Sequence, residues 1–299
     1  MAAVFAGLVV ASIIRLILAA KHPTRDYTEL RQRTQSWWWM VLSLFLVLVL
    51  STGVAVAFFG FLSLLALREF LAIVPTRHAD RRVILWAYAA VPVHYIWVYN
   101  GWYGLFVAFI PVYLFLFMPL RMVLVGETSG FIRSAAVLHW AVMLTVFGLS
   151  HIAYLLVLEP LNESAGGVGL VLFLLIVTEL NDVAQYIWGK SLGRHKILPK
   201  VSPNKTWEGF IGGFITITLL ATWIGPHLTP LSSMQALVAG MLIAGGGFVG
   251  DVVLSSVKRD LHIKDSSQLI PGHGGLLDRL DSLLYTAPVL FHFLYFTCF

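Results

Sequence analysis

The chain has 299 residues, of which 59% are hydrophobic and only 12% charged, with a net charge of +5. A soluble domain of this length carries about 25% charged residues to keep its surface wet, so the composition excludes a wholly water-facing protein and puts much of the surface in lipid. No long polar segment exists to build a separate soluble domain. The single cysteine, Cys298, excludes an intrachain disulfide and any cysteine-based zinc site.

A spanning helix needs roughly 20 mostly apolar residues. About ten segments meet that test, near residues 2–20, 37–53, 54–73, 83–100, 103–120, 134–158, 168–188, 209–226, 235–257 and 282–299. The predicted fold class is therefore all-α, a polytopic helical membrane bundle. The first segment lacks a basic residue at its start, and Arg15, Lys21 and Arg25 come late in it or after it. That reverses the charge order of a signal peptide and predicts an uncleaved span with its N-terminus outside the cytoplasm. Ser51-Thr52-Gly53 separates the second span from the third, and the eighth is short and glycine-rich. The expected organisation is an N-terminal set of spans over 1–160 and a catalytic region over 161–299.

Every second connection is basic: 21–36, 74–82, 121–133, 189–208 and 258–281. The intervening turns near 100–102, 159–167 and 227–234 contain no Lys or Arg, and the second of them carries Glu159 and Glu163. The positive-inside rule makes the basic side cytoplasmic and both termini external. The positive charge then describes one membrane face and its anionic lipids rather than a nucleic-acid patch. Residues 26–39, with Trp37, Trp38 and Trp39, read as an interfacial stretch entering the second span, without a chemical role.

Two cytoplasmic connections are richer than topology requires. Span seven ends with Glu179 and Asp182 three residues apart, hence on one helical face. Ionised groups at such depth are functional candidates by default, although Glu179 could equally cap a polar contact between helices. Span nine ends with Asp251, Ser255, Lys258 and Arg259 at helical spacing, and Gly245, Gly246, Gly247 and Gly250 precede or adjoin the acid. Glycines let a backbone or ligand approach closely, so an acid beside that gap suggests a bound cation. The connection that follows alternates Lys264 and Arg279 with Asp260, Asp265, Asp278 and Asp281 around Pro271-Gly272-His273-Gly274-Gly275. Such a turn can present backbone N–H groups to an anion. Carboxylates for Mg²⁺, cations for phosphates and a glycine-rich turn suit phosphoryl or nucleotidyl transfer. In the 189–208 connection, Lys190, Lys196 and Lys200 need no role beyond topology, whereas Ser202, Pro203, Lys205, Thr206 and Glu208 form a compact cluster at the foot of span eight.

At these residues the chain resembles the CDP-diacylglycerol synthases, or phosphatidate cytidylyltransferases. The resemblance covers roughly residues 175–285. It rests on Ser255, Val257, Lys258, Arg259, Lys264, Asp265, His273, Gly274, Gly275, Asp278, Arg279 and Asp281, on the upstream Ser202, Pro203, Lys205, Thr206, Glu208 and Gly209, and on Asp182, Tyr186 and Gly189. Two departures stand out: Gln185 occupies a position where the family usually has a small residue, and the first span looks like an addition. A paralogue with a changed lipid preference would show both.

The resemblance implies that CTP and phosphatidate are the substrates and CDP-diacylglycerol and pyrophosphate the products. It implies Mg²⁺ on Asp251 and Asp278, with Asp182 and Asp281 as outer or second-cation ligands. Lys258, Arg259, Lys205 and Arg279 would contact phosphates. Ser202 to Thr206, Glu208, and His273-Gly274-Gly275 would shape the nucleotide pocket, unless His273 only packs. Lys264 and Asp265 would either touch substrate or pair with each other. A bacterial inner-membrane location, a cytoplasmic site and a homodimer are further expectations. The rival readings are a polyprenol kinase and, from another class, an ion-coupled secondary transporter using Glu179, Asp182 and Asp251.

Overall fold

The computed structural model describes residues 2–22, 26–158 and 166–299; Arg25, Glu159 and Glu163 lie outside them. Each of the ten predicted spans coincides with helix. The N-terminal three are α1 (Ala2–Lys21), α2 (Thr28–Leu50) and α3 (Thr52–Ile73), followed by α4 (Arg81–Tyr99). A fifth rod, Tyr103–Val123, comprises α5 (Tyr103–Ala108), a π-helical turn and α6 (Phe115–Val123). A sixth, Phe131–Leu155, is built likewise from α7 (Phe131–Val142), a π-helical turn and α8 (Leu149–Leu155). Then come α9 (Gly166–Leu192), α10 (Trp207–Leu228), α11 (Ser233–Asp260), the short α12 (Leu277–Leu280) and α13 (Leu283–Cys298). Among the described residues, eight of these helices are long and apolar enough to cross a membrane, α4 and α13 being the other two predicted spans. The protein is a polytopic helical membrane protein.

Local chemistry sets the boundaries. Ser51 is extended and its hydroxyl accepts from the Val54 N–H at 3.2 Å, which ends α2 and starts α3 where the polar break predicts it. Ser232 and Gln235 form a reciprocal capping box that starts α11. The stretch 26–39 leads into the second span as helix, since α2 begins at Thr28 and continues through it. The 189–208 connection contains a small antiparallel hairpin, β1 (Lys196–Leu198) and β2 (Ser202–Thr206). Its backbone groups pair with each other, as a connection at a membrane boundary demands. Thr206 ends β2 and caps α10 by accepting from the Gly209 N–H at 3.1 Å.

One contiguous core runs from Val56 of α3 to Leu294 of α13. Several buried polar side chains of the bundle pair across helices: Ser63 with the Tyr95 hydroxyl at 2.7 Å, His94 with Ser150 at 2.9 Å, and Thr178 donating to Thr286 at 3.0 Å. In lipid there is no hydrophobic drive between apolar helices, so close packing of small residues holds them. The glycine-rich eighth span shows this. A Cβ at Gly213 of α10 would meet the Gln185 backbone nitrogen of α9 at 3.0 Å, and one at Gly209 would lie 2.9 Å from the Gly189 Cα. On the far side of α10, a Cβ on Gly240 of α11 would lie 2.7 Å from the Ala221 Cβ.

Gly213→Leu should therefore force α10 off α9, lowering the apparent stability of the detergent-solubilised protein by about 1–3 kcal/mol or more. Gly245→Ala, where a Cβ meets nothing within 4 Å, should leave the melting temperature unchanged within error or slightly raised. Equal effects at the two positions would contradict the packing described.

Candidate active site

The two clusters separated in sequence meet where α9, α11 and the α12–α13 junction converge. Lys205 of β2 reaches Asp251 of α11, with Nζ 2.7 Å from Oδ2, and donates to the Gln185 Oε1 of α9 at 3.2 Å. Its ammonium lies 5.5 Å from the Phe248 ring centre and close enough to Asp182 to attract that carboxylate. Gln185 thus helps aim the lysine. The other Asp251 oxygen accepts from Ser255 at 3.3 Å, one helical turn on.

Asp278 forms the second acid–lysine pair, its Oδ1 2.7 Å from Lys258 Nζ. Its Oδ2 accepts from the Ser266 N–H at 2.9 Å and the Gly275 N–H at 3.0 Å, and the Ser266 hydroxyl oxygen lies 2.9 Å away. Burial resists ionisation here, but the Lys258 hydrogen bond and the Gly275 and Ser266 N–H groups outweigh it and hold the carboxyl below its ordinary value. The carboxylate is charged at neutral pH. The predicted stripe on α11 divides at this point: Lys258 turns to Asp278, whereas Arg259 donates to the Val201 carbonyl of the hairpin at 3.2 Å.

Asp182, Asp251 and Asp281 are mutually repelling neighbours, and Lys258 stands near enough to Asp281 to attract it. Ser282 donates to Asp182 Oδ2 at 2.9 Å. The glycines beside Asp251 do admit a close approach, but the gap is filled by protein. The Asp281 carbonyl stands against Gly250, while Asn181 Nδ2 would lie 2.9 Å from a Cβ at Gly247.

The Pro271–Gly275 turn is tight, with Gly272 at φ 75° and Gly274 at φ 82°, where a side chain would be strained. Its N–H groups do meet an anion, and the anion belongs to the chain. Besides Gly275 on Asp278, Leu276 and Leu277 donate to Glu69 of α3 at 2.9 and 3.1 Å, and the Ser266 hydroxyl also bonds Glu69. Glu69 was missed from sequence, although an acid within an apolar span was the signal that singled out Asp182 and Asp251. A second surprise is α2. Arg33 Nε donates to the Gly272 carbonyl at 3.1 Å, the Ser36 hydroxyl to that of Pro271 at 2.8 Å, and Trp37 meets the His273 ring edge-on at 5.9 Å. The segment expected to be a membrane anchor supports the glycine turn.

The remaining predicted residues spread out. Both Glu208 oxygens are taken by the Arg194–His195 backbone and the His195 ring, 2.6 Å away, a structural contact the substrate-binding expectation did not include. Ser202 is half-buried in β2 and Pro203 exposed. Lys264 and Asp265 are exposed and do not pair with each other among the described residues. Together with His273, Gly274 and Arg279 they line a cavity of about 940 Å³ that α1 and α2 complete.

A divalent cation fits this donor set in one specific manner. Among the described residues no three His, Cys, Asp or Glu side chains enclose a metal position. The Asp182 Oδ1 and Asn181 Oδ1 atoms are nevertheless buried without a hydrogen-bond partner, and one oxygen each of Asp251 and Asp278 is held by a lysine alone or nearly so. Mg²⁺ is commonly held by one or two carboxylates, with substrate phosphates and water completing the shell. These oxygens suit that arrangement.

Residues 31–297 match the model of the cytidylyltransferase family. Over all 299 residues, the chain is 46% identical to the "uncharacterized protein YnbB" of Escherichia coli, covering 98% of it. It is 38% identical over 138 residues to the phosphatidate cytidylyltransferase of Bacillus subtilis, which spans 46% of this chain and 51% of the relative. With the Haemophilus influenzae phosphatidate cytidylyltransferase it shares 41% identity over 136 residues, 44% of this chain and 47% of the relative. The chain therefore spans about half of those two enzymes. The breadth of the family match, over nearly the whole bundle, decides the assignment: the chain belongs to the cytidylyltransferase family.

Proposed function

We propose that this protein transfers the cytidylyl group of CTP to the phosphate of phosphatidate, giving CDP-diacylglycerol and pyrophosphate at the cytoplasmic face of a bacterial inner membrane. The observation that carries the reading is the convergence of the Lys205–Asp251 and Lys258–Asp278 pairs at one end of the bundle, in a chain of this family. A phosphate oxygen of the lipid forms the new bond to the α-phosphorus of CTP. The bond from that phosphorus to the bridging oxygen breaks, and its electron pair leaves with pyrophosphate. The attacking oxygen is already anionic, so no strong general base is needed. What the site must do is hold two repelling anions together and stabilise the leaving charge.

Asp251 and Asp278 would hold Mg²⁺ through the oxygens that now face lysines, with Asp182 and Asp281 alongside for it or a second cation. When bound, the ion neutralises phosphate charge and steadies the leaving pyrophosphate. Lys205 and Lys258, once their carboxylates are engaged elsewhere, are cations free to contact phosphate oxygens. Arg279, whose charge reaches Asp182 and Glu179, stands between the acids and the cavity. Glu69, Ser266 and Gly275 keep Asp278 aligned without touching substrate. CTP comes from water and the acceptor from the inner leaflet, which a site at this boundary can serve together.

Two arms of one assay test the reading. Purified protein with Mg²⁺, phosphatidate and CTP labelled at the α-phosphate should yield a labelled lipid; CTP labelled at the γ-phosphate should leave the lipid unlabelled. The reverse pattern would mean a CTP-dependent kinase, and absence of both would reject the chemistry. Asp251→Asn should lower turnover at least about 100-fold while the protein still inserts and elutes as the wild type does. Near-normal activity of that variant would remove Asp251 from the mechanism. Glu69→Gln should reduce turnover less and also lower the melting temperature, because the N–H groups of Leu276 and Leu277 lose a charged acceptor.

A further inference from the structure

The cavity that borders the glycine turn is walled by elements of opposite character. One side is the signature connection, with Lys264, His273 and Arg279. The other is Leu8 and Ala11 of α1 with Leu30 and Trp37 of α2, the same stretch of α2 also bringing Gln32 and Thr34 to the lining. Arg33, also from α2, lies on the boundary. Its guanidinium is tied at 2.6 Å to Glu29 and at 3.1 Å to the Gly272 carbonyl. Asp265 adds a second acid to the lining, so Glu29 and Asp265 offset two of the three cations Arg33, Lys264 and Arg279.

The polar side carries unmet demand. Arg279 Nε and His273 Nδ1 are buried without a hydrogen-bond partner, and neither Lys264 nor Arg279 forms an ion pair among the described residues. Buried donors in a native protein are nearly always satisfied, and Arg pairs well with phosphate oxygens through its planar fork. Burial, then the Arg279 and Arg33 charges, keep the His273 imidazole below its ordinary pKa, so the ring is neutral at pH 7. The position wants an anion. Its apolar wall wants a hydrocarbon chain. CTP would satisfy the first and waste the second.

We propose that this cavity seats the lipid acceptor, with its phosphate on Arg279, Lys264 and Arg33 and its acyl region against α1 and α2. In this role α1 is a specificity-determining wall, and it lies outside residues 31–297 of the family match. Its place is set by α2, through Trp38 donating to the Ser12 hydroxyl at 3.0 Å and Phe5 meeting Phe45 edge-on at 5.4 Å. Arg279 lines the cavity while its charge reaches Asp182, so a phosphate seated there would stand beside the acids. The inference rests on the cytidylyltransfer reading for its substrate, but the seat can be tested without turnover.

Full-length protein in vesicles containing a photoactivatable phosphatidate, without CTP, should be labelled on α1 and the first half of α2. Unlabelled phosphatidate should compete and CTP should not. Labelling that CTP abolishes, or that spreads evenly over the lipid-facing helices, would overturn the seat. In kinetics, Leu8→Trp and Arg33→Gln should raise the KM for phosphatidate and leave that for CTP unchanged. The Arg33 effect should be about tenfold, the size of one lost charge-assisted hydrogen bond, and Arg33→Lys should recover part of it. A rise in the CTP KM alone would make this a nucleotide pocket and reject the proposal. Specific α1 labelling with no CDP-lipid formed would reject the cytidylyltransfer reading and keep the seat; CDP-lipid formation with both variants unaltered would do the opposite.

Discussion

A carboxylate at the edge of the hydrocarbon layer is tolerable only if a counter-charge or a set of donors reaches it. The end of the bundle that gathers these acids is organised by that requirement. Asp251 sits on α11, and its lysine comes from a different element, the β1–β2 hairpin. The hairpin must therefore fold against α9 and α11 for the acid to be neutralised. Glu208 anchors the start of that hairpin through the Arg194–His195 backbone, and Thr206 converts its end into the first turn of α10. Asp278 imposes the same condition on the other side, drawing Lys258 from the last turn of α11 and folding the 266–275 segment over itself. Two charge pairs thus fix the relative positions of three chain segments, the hairpin, α11 and the stretch that carries Asp278.

Close approach of backbones makes the arrangement possible. With a side chain at Gly250 the Asp281 carbonyl could not lie where it does, and Asp281 would stand farther from Asp251. The same logic holds along α9 and α10, where Gly209 and Gly213 bring Lys205 within reach of Gln185. Small residues at helix crossings hold the bundle together in lipid; here they also gather like charges. Asp182, Asp251 and Asp281 repel one another with Lys205 and Lys258 as the nearby relief. Acids gathered this closely form an oxygen donor set that suits cations and the phosphates that travel with them.

Much of this was legible in sequence because its causes are local. Hydropathy located the spans, since a bilayer leaves few other options for an apolar run, and Ser51 marked the α2–α3 break as a capping residue should. Of the residues that carry the family resemblance, Asp182, Lys205, Lys258, Asp278 and Asp281 lie near one another around Asp251, whereas Glu208, Pro203, Lys264 and Asp265 do not join them. What stayed hidden depends on distance along the chain. Glu69 is about 200 residues from Ser266, whose hydroxyl it accepts, and nothing within α3 announces that contact. The hairpin is short, and Lys196-Ile197-Leu198 carries too little pattern to signal a strand. The tryptophan-rich start of α2 fits an interfacial anchor on composition alone; its role under Pro271 and Gly272 appears only when α2 packs beside the signature connection.

That last contact joins the two halves of the problem. A cytidylyltransferase acting on lipid must receive one substrate from water and the other from the bilayer, and the second cannot cross a shell of charged loops. Helices α1 and α2 bring Leu8, Ala11, Leu30 and Trp37 against a turn whose far side leads to Asp278. Arg279 spans the two environments, lining the cavity on one side and attracting Asp182 and Glu179 on the other. If the acceptor phosphate moves along that path, it exchanges the guanidinium for the acid cluster without passing through water. The N-terminal helices then belong to the reaction's geometry as much as the signature residues do, and variation in α1 is the means by which chains of this kind could change lipid while keeping the same chemistry.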